Sequence, residues 1–146
     1  MRSPEQLAEA FRGAGLKVTP QRQLLFRLLH GNEMHPTAET LYEVAVREMP
    51  GISLRTVYQT LTDLAAMGEL QQFQFGGAAR FDPNVGDHHH SVCDACGEVR
   101  DVYVPNAADI SVAGLEGFSV HSARIVFSGK CPRCAGNADE LSVRKQ

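Results

Sequence analysis

The sequence predicts an α+β protein in which an N-terminal winged helix-turn-helix domain is followed by a small domain with a four-cysteine zinc site. Three observations lead to this prediction. Helical periodicity runs from the N-terminus to about Met67, a glycine-centred hairpin pattern follows it, and all four cysteines of the 146-residue chain lie in two C-x-x-C pairs. We predict domains of 1–83 and 84–146, the second of which ends in a polar C-terminal tail.

Four helices are predicted in the first domain. The first spans about Glu5 to Ala14, and Thr19-Pro20 opens the second as an N-cap followed by proline at the first helical position. His35-Pro36-Thr37 opens the third, and Ser53 caps the fourth, which runs to about Met67. The apolar positions expected to face the core are Leu24, Leu25, Leu28 and Leu29 in the second helix, Leu41, Val44 and Ala45 in the third, and Val57, Leu61 and Leu64 in the fourth.

A tight turn and a hairpin predict the winged helix-turn-helix. Only Pro50-Gly51-Ile52-Ser53 separates the third and fourth helices, which is typical of a helix-turn-helix unit. Gly68 is expected to end the fourth helix in a left-handed conformation. Leu70 to Phe75 and Ala78 to Phe81 then flank Gly76-Gly77, and this pattern predicts a β-hairpin that serves as the wing.

The second domain is predicted to be rich in β-structure. Strands are expected at Val99 to Val104 and Arg124 to Phe127, a short helix or turn around Asn106 to Leu115, and a loosely held tail over Asp139 to Gln146. No apolar run approaches the roughly 20 residues that cross a bilayer. The segment Met1-Arg2-Ser3-Pro4-Glu5-Gln6 has no apolar core for an export signal, so we expect a cytoplasmic protein without a membrane partner.

The two C-x-x-C pairs are the strongest chemical signal. They are Cys93-Asp94-Ala95-Cys96 and Cys131-Pro132-Arg133-Cys134. Two thiolates in a tight turn can hold one metal ion, and a second such turn completes a tetrahedral shell of four sulfurs at about 2.3 Å from zinc. Two disulfides or redox-active thiols are the alternatives, but a cytosolic chain keeps its thiols reduced. The paired spacing favours structural zinc.

A histidine run predicts a second metal site. In an extended segment alternate side chains share a face, so His88 and His90 project together and His89 points away. Asp82 and Asp101 lie close enough in sequence to supply oxygen ligands. Imidazole and carboxylate together accept iron, manganese, zinc or nickel. A polar loop, or one extra ligand for the cysteine site, is the alternative interpretation of the histidines, and His35 alone would be an ordinary helix-cap residue.

The charge of the chain gives no support to nucleic-acid binding, because 17 acidic residues outnumber 14 Lys and Arg for a net charge of -3. A DNA-binding prediction therefore rests on local arrangement. If the apolar stripe of the fourth helix faces the core, a set of DNA-compatible side chains lies on its exposed side, with Lys17 approaching phosphate or the minor groove. A solvated polar helix face is the alternative. The set is Arg55, Thr56, Tyr58, Gln59 and Thr62.

Four motifs, in this order, carry a resemblance to a known family. They are Gly15-Leu16-Lys17-Val18-Thr19-Pro20-Gln21-Arg22, His35-Pro36-Thr37-Ala38-Glu39, Ser53-Leu54-Arg55-Thr56-Val57-Tyr58, and Asp87-His88-His89-His90 leading into the C-x-x-C pairs. Over roughly residues 5 to 135 the chain resembles the ferric uptake regulator family of bacterial metal- and stress-responsive repressors. Gln59 departs from the arginine that many members carry there.

The resemblance implies a winged-helix DNA-binding domain joined to an α/β dimerisation domain, and a homodimer on a palindromic double-stranded operator. It implies structural zinc on the four cysteines, which are Cys93, Cys96, Cys131 and Cys134. It also implies a regulatory Fe²⁺ or Mn²⁺ ion between the domains, with Zn²⁺ or Ni²⁺ as alternatives. The ligands that it implies for this ion are His35, Asp82, His88, His90 and Asp101.

Aspartate at both position 82 and position 101 resembles the peroxide-sensing members of the family. In those members Fe(II) reacts with hydrogen peroxide, a ligand histidine is oxidised, and the protein leaves DNA; here the histidines at risk would be His35 and His88. An iron-responsive or zinc- or nickel-responsive uptake repressor is the alternative. A non-haem metalloenzyme is the competing class, since two histidines and a carboxylate can activate oxygen. No segment suggests a pocket for a small-molecule substrate, so we expect a regulator and not an enzyme.

Overall fold

A computed structural model describes residues 1–106 and 110–136 of the chain. They belong to two compact units, Met1–Gly86 and Asp87–Gln146, here called the N-terminal and C-terminal units. The predicted tail at Asp139 to Gln146 lies outside the described residues. The helices and hairpin strands of the N-terminal unit are α1 (Pro4–Gly13), α2 (Pro20–Leu29), α3 (Ala38–Glu48), α4 (Leu54–Ala66), β1 (Gln71–Phe75) and β2 (Ala78–Asp82).

Side-chain caps begin the helices. The Thr19 hydroxyl accepts a hydrogen bond from the Arg22 amide, and the Ser53 hydroxyl accepts one from the Thr56 amide, so both predicted N-caps are confirmed. Thr37 caps α3 in a reciprocal arrangement with Thr40. These caps satisfy amide groups that have no partner within the helix. They also fix where α3 and α4 start, and therefore which residues each helix presents to solvent.

The core of the N-terminal unit lies between the four helices and the hairpin. Val57, Leu61 and Leu64 of α4 are fully buried, as predicted. The prediction for Val44 is wrong, because its side chain is 44% exposed. The buried stripe of α3 is formed by residues 38, 41 and 45, and at 100° per residue position 44 lies about 90° from the centre of that stripe. The α4 stripe leaves the opposite face of that helix in solvent.

The wing forms as predicted. Strands β1 and β2 pair antiparallel with Phe75 opposite Ala78, and the two residues between them, Gly76 and Gly77, have φ angles of +59° and +81°. A two-residue turn of this kind needs positive φ at both central positions, which glycine adopts without steric cost. The pairing brings Asp82, the last residue of β2, opposite Gln71.

The C-terminal unit contains a three-stranded sheet within its described residues. Its strands are β3 (His89–Cys93), β4 (Val99–Val102) and β5 (Val126–Gly129), in the order β4-β3-β5. β4 pairs antiparallel with β3, and β5 runs parallel to it. The observed β5 lies two residues beyond the predicted one, and β4 ends two residues early. Residues 132–136 form a single helical turn.

Part of the predicted helix or turn at Asn106 to Leu115 falls on residues 107–109, which lie outside the described residues. Residues 110–115 contain bends and no helix. Gly114 has a φ of +90°, a backbone conformation that an α-helix does not contain. Among the described residues, no helix is long and apolar enough to span a bilayer.

Candidate metal centres and nucleic-acid interface

The four cysteines come together at one end of the C-terminal sheet. Cys93 ends β3 opposite Gly129 of β5, so the parallel pairing brings the second C-x-x-C pair beside the first. The four Sγ atoms all lie within 4.8 Å of one another, and those of Cys96 and Cys131 are 3.7 Å apart. The four are free thiols. A sulfur tetrahedron around zinc has edges of about 3.8 Å when each zinc–sulfur distance is about 2.3 Å.

Hydrogen bonds shift the pKa values of two of these thiols in opposite directions. The Cys131 amide donates to Cys93 Sγ at 3.3 Å, and hydrogen bonds from the backbone of Cys131 and Cys96 lower the pKa of Cys93 to about 6. Hydrogen bonds with the Cys131 and Cys93 sulfurs raise the pKa of Cys134 to about 12. At neutral pH the Cys134 thiol therefore keeps its proton unless a cation lies among the sulfurs. Four converging thiols in this geometry fit zinc, which binds thiolates.

His35 and Asp82 form a buried pair in the N-terminal unit. His35 Nε2 lies 3.2 Å from Asp82 Oδ2, and the two side chains are 1% and 2% exposed. The other carboxylate oxygen, Oδ1, accepts a hydrogen bond of 2.8 Å from the Asn84 amide. His35 has a φ of +50°, and its carbonyl accepts a hydrogen bond from Arg80 Nη1 at 3.1 Å. Left-handed backbone at a residue other than glycine often marks a functional position.

His88, His90 and Asp101 converge in the C-terminal unit. The Nε2 atoms of His88 and His90 are 3.1 Å apart, and they lie 3.4 and 3.7 Å from Asp101 Oδ1. The β3–β4 register places His90 directly opposite Asp101. His89 points the other way, as the alternation predicts, and its Nδ1 accepts a hydrogen bond of 3.1 Å from the Ile125 amide.

Each unit thus carries its own set of converging imidazole and carboxylate groups. Nitrogen and oxygen donors of this type fit a divalent first-row metal such as iron, manganese, zinc or nickel. Sequence reasoning did not consider Asn84, and it predicted the direction of His89 but not its hydrogen bond. The Asp-Pro-Asn sequence at 82–84 carries a turn signal that could have indicated the first. The hydrogen bond of His89 depends on Ile125, which precedes β5 and lies 36 positions away, so it leaves no local signal.

The predicted nucleic-acid contacts lie on the outer side of the N-terminal unit. Arg55, Gln59 and Lys17 are exposed, Tyr58 is 42% exposed, and Thr56 is half-buried. The Thr56 hydroxyl is 2.9 Å from the Ser53 hydroxyl, so this residue also helps to cap α4. A mixed set of cationic, amide and phenolic groups on one helix can contact both phosphates and base edges.

Three further side chains, Arg22, Glu39 and Asp63, hold this surface in place, a role that the sequence analysis did not assign to them. The Tyr58 hydroxyl donates to Glu39 Oε1, and Gln59 Nε2 donates to Asp63 Oδ1 at 3.1 Å. Asp63 also pairs with Arg22 at 3.0 Å between Oδ2 and Nη2. The Glu39 bond raises the pKa of Tyr58, so the phenol keeps its proton at neutral pH. Helix α4 is therefore connected to α2 and α3 through charged side chains.

This chain combines a winged helix-turn-helix with a four-thiol centre and further metal-binding groups. That combination defines a metal-responsive DNA-binding regulator. Comparison with known proteins agrees. Residues 13–128 match the Ferric uptake regulator family. The chain is 32% identical to the peroxide-responsive repressor PerR of Staphylococcus aureus strain Mu50, over 89% of this chain and 90% of that protein. The chain belongs to the ferric uptake regulator family.

Solved structures share the fold. The Helicobacter pylori ferric uptake regulator Fur, described with three functional metal-binding sites, superposes with a TM-score of 0.76 at 19% identity, over 90% of each chain. A zinc-bound manganese uptake regulator gives a TM-score of 0.70 at 28% identity, over 89% of this chain and 99% of its own. The family consists of transcriptional regulators that bind operators as dimers, and this chain is a metal-dependent member with a structural zinc and a regulatory metal as cofactors.

Proposed function

We propose that this protein is a cytoplasmic repressor that senses peroxide through a regulatory metal bound by histidine and aspartate. The observation that carries the proposal is the pair of aspartates, Asp82 and Asp101, each within 3.7 Å of a histidine Nε2 in a chain that resembles PerR. Bound iron would supply the reaction with hydrogen peroxide. The histidine rings supply the carbon atoms that take up oxygen, with His35 and His88 as the targets.

The proposed regulatory site combines the metal-binding groups of both units. Its ligands are His35, Asp82, His88, His90 and Asp101. Support comes from the buried His35–Asp82 pair and from the His88–His90–Asp101 group, each already converged at hydrogen-bonding distance. One ion that uses both groups would hold the DNA-binding domain, 1–83, at a fixed angle to the dimerisation domain, 84–146. Metal and operator binding would then strengthen each other. Structural zinc on Cys93, Cys96, Cys131 and Cys134 completes the proposal.

Dimerisation is supported by the apolar surface of the C-terminal unit. Several large apolar side chains are exposed in this unit, and exposed apolar surface of this kind often marks interaction sites in soluble proteins. A homodimer would present two copies of α4 to a palindromic operator. The large apolar side chains that are 41–70% exposed in this unit are Tyr103, Ile110, Val112, Leu115, Phe118, Val120, Val126 and Phe127.

Replacing Arg55 with alanine is expected to weaken operator binding by about 5- to 150-fold, the loss typical of one arginine that reads a base. The reason is that Arg55 is exposed on the outer face of α4, where Thr56, Tyr58 and Gln59 would share the DNA contacts, with Lys17, just before α2, as a further contact. Fluorescence anisotropy with metal-loaded protein measures the change. Arg12→Ala, an exposed arginine at the end of α1, is the matched control. Unchanged affinity of Arg55→Ala would remove Arg55 from the DNA contacts, whereas failure of the unaltered metal-loaded protein to bind any operator would oppose the repressor interpretation.

The peroxide proposal predicts that one equivalent of hydrogen peroxide adds oxygen to His35 or His88 and releases the protein from its operator. The sample is anaerobic protein with one Fe(II) per chain, and a manganese-loaded sample is the control. Peptide mass spectrometry locates the added oxygen while anisotropy follows release. If the histidines stay unmodified and binding follows metal concentration alone, the protein is a metal-uptake repressor instead.

A further inference from the structure

A carboxylate lies within the proposed DNA-reading surface. Glu39 is the second residue of α3, where the positive end of the helix dipole favours an anion. It accepts the hydroxyl proton of Tyr58, which lies on α4. Both side chains are exposed. An acid beside DNA repels phosphate, so its presence at this surface calls for a compensating role.

The chemistry of a phenol supplies that role. A tyrosine hydroxyl has one proton to donate and lone pairs that can accept. The hydrogen bond between Tyr58 and Glu39 lowers the pKa of the Glu39 carboxyl group and raises the pKa of the Tyr58 phenol. The carboxylate therefore stays ionised and the phenol stays protonated. The proton of Tyr58 therefore points to Glu39. Only the lone pairs and the ring of Tyr58 are left to face DNA.

Few groups on DNA can donate to those lone pairs. In the major groove only the adenine N6 and cytosine N4 amino groups donate, whereas guanine N7 and O6, thymine O4 and every phosphate oxygen accept. We propose that Glu39 is a positioning residue that sets the base preference of Tyr58: by holding its proton, Glu39 restricts Tyr58 to an adenine or cytosine amino group, or to ring contact with a thymine methyl. This inference rests on the proposed DNA-binding function.

Gln59 also bonds to an acidic neighbour, but it keeps its hydrogen-bonding options towards DNA. Its amide nitrogen carries two hydrogens and gives one to Asp63. The second hydrogen and the amide oxygen can still form the two-bond contact with adenine that glutamine makes. A tyrosine has no second proton. Of these two reading residues, only Tyr58 changes its hydrogen-bonding character because of its acidic neighbour.

The test compares three full-length, metal-loaded variants. Each is made twice, once with Tyr58 unaltered and once together with Tyr58→Phe. Glu39→Ala removes both the charge and the acceptor. Glu39→Gln removes the charge but keeps an amide oxygen that can accept the phenol proton. Glu43→Ala removes an exposed charge from the same helix and is the matched control. The readouts are affinity for operators altered at each base pair in turn and affinity for unrelated DNA of the same length.

We expect Glu39→Ala to lower the discrimination at one base position by about 5-fold or more, the worth of a single base contact. Glu39→Gln should largely keep the preference while binding unrelated DNA more tightly, and neither change should alter the preference once Tyr58 is phenylalanine. A base profile for Glu39→Ala that matches Glu43→Ala, or a change that persists with Tyr58→Phe, would overturn this inference alone. Failure of the unaltered metal-loaded protein to bind any operator would overturn the proposed function and this inference with it.

Discussion

Replacing Cys93 with serine is expected to remove the zinc ion and unfold the C-terminal unit while the N-terminal unit stays folded. Cys93 is the thiol whose pKa, about 6, leaves it mostly ionised at neutral pH, and it belongs to the central strand of the sheet. A serine hydroxyl does not ionise in this range and binds zinc far more weakly than a thiolate does. The metal would then lose the ligand that connects it to β3.

The effect is large because the described part of the C-terminal unit buries few other apolar side chains. Among residues 87–106 and 110–136, the buried apolar side chains are Cys93, Val99 and Cys131, and two of these are proposed ligands. The hydrophobic core cluster lies instead within residues 7–81. Structural zinc in small domains contributes about 10–16 kcal/mol of apparent binding free energy, which is folding free energy when no site exists in the unfolded chain. Within one chain, the described part of this unit has little apolar burial to replace it.

Hydrogen exchange with peptide resolution measures the outcome. Amide deuteration should rise sharply in β3 and β5 of Cys93→Ser and stay unchanged in α2 and α4, with zinc content falling in parallel. Ser91→Ala, on the same strand, is the control and should keep both its zinc and its protection. A Cys93→Ser protein that retains one zinc ion per chain and a protected β3 would show that the ion is not what stabilises this unit.

Local signals explain how much of the fold could be predicted. Thr19 and Ser53 cap their helices through contacts three residues away, and Gly76-Gly77 makes its turn within the hairpin, so each feature can be recognised from a few neighbouring letters. Val44 could not be placed correctly, because the direction that α3 presents to the core depends on its packing against other elements. The limits of β5 are set by pairing with β3, a partner far away in sequence.

In the candidate sites, too, local features could be predicted from the sequence and long-range contacts could not. The C-x-x-C pairs were recognisable because thiol spacing within a turn is local chemistry, and the alternation of His88 and His90 follows from the period of a strand. The β3–β4 register that sets His90 against Asp101 had to come from the structure. So did the bond between Tyr58 and Glu39, which connects two helices across 19 positions. Ligand types are read from the sequence, whereas their orienting partners depend on tertiary contacts.

Replacing Asp82 with asparagine is expected to abolish the stimulation of operator binding by metal. The change keeps the shape of the side chain and an oxygen that can accept from the Asn84 amide, so the N-terminal unit should remain folded. It removes the negative charge beside His35 Nε2, and an amide oxygen binds a dication more weakly than a carboxylate does. Coupling of this kind is typically about 1–3 kcal/mol, so a stimulation of roughly 5- to 150-fold should fall towards 1.

Metal and operator DNA must affect each other's binding equally, so this prediction can be checked by two independent measurements. If metal tightens operator binding by some factor, operator DNA must tighten metal binding by the same factor. Both factors should fall together in Asp82→Asn, while zinc at the cysteines stays at one ion per chain. Glu48→Gln makes the same chemical change at an exposed acid of α3 and should leave both factors unaltered. Full stimulation in Asp82→Asn would remove Asp82 from the regulatory site; equal losses in both measurements would make it part of the connection between metal and DNA.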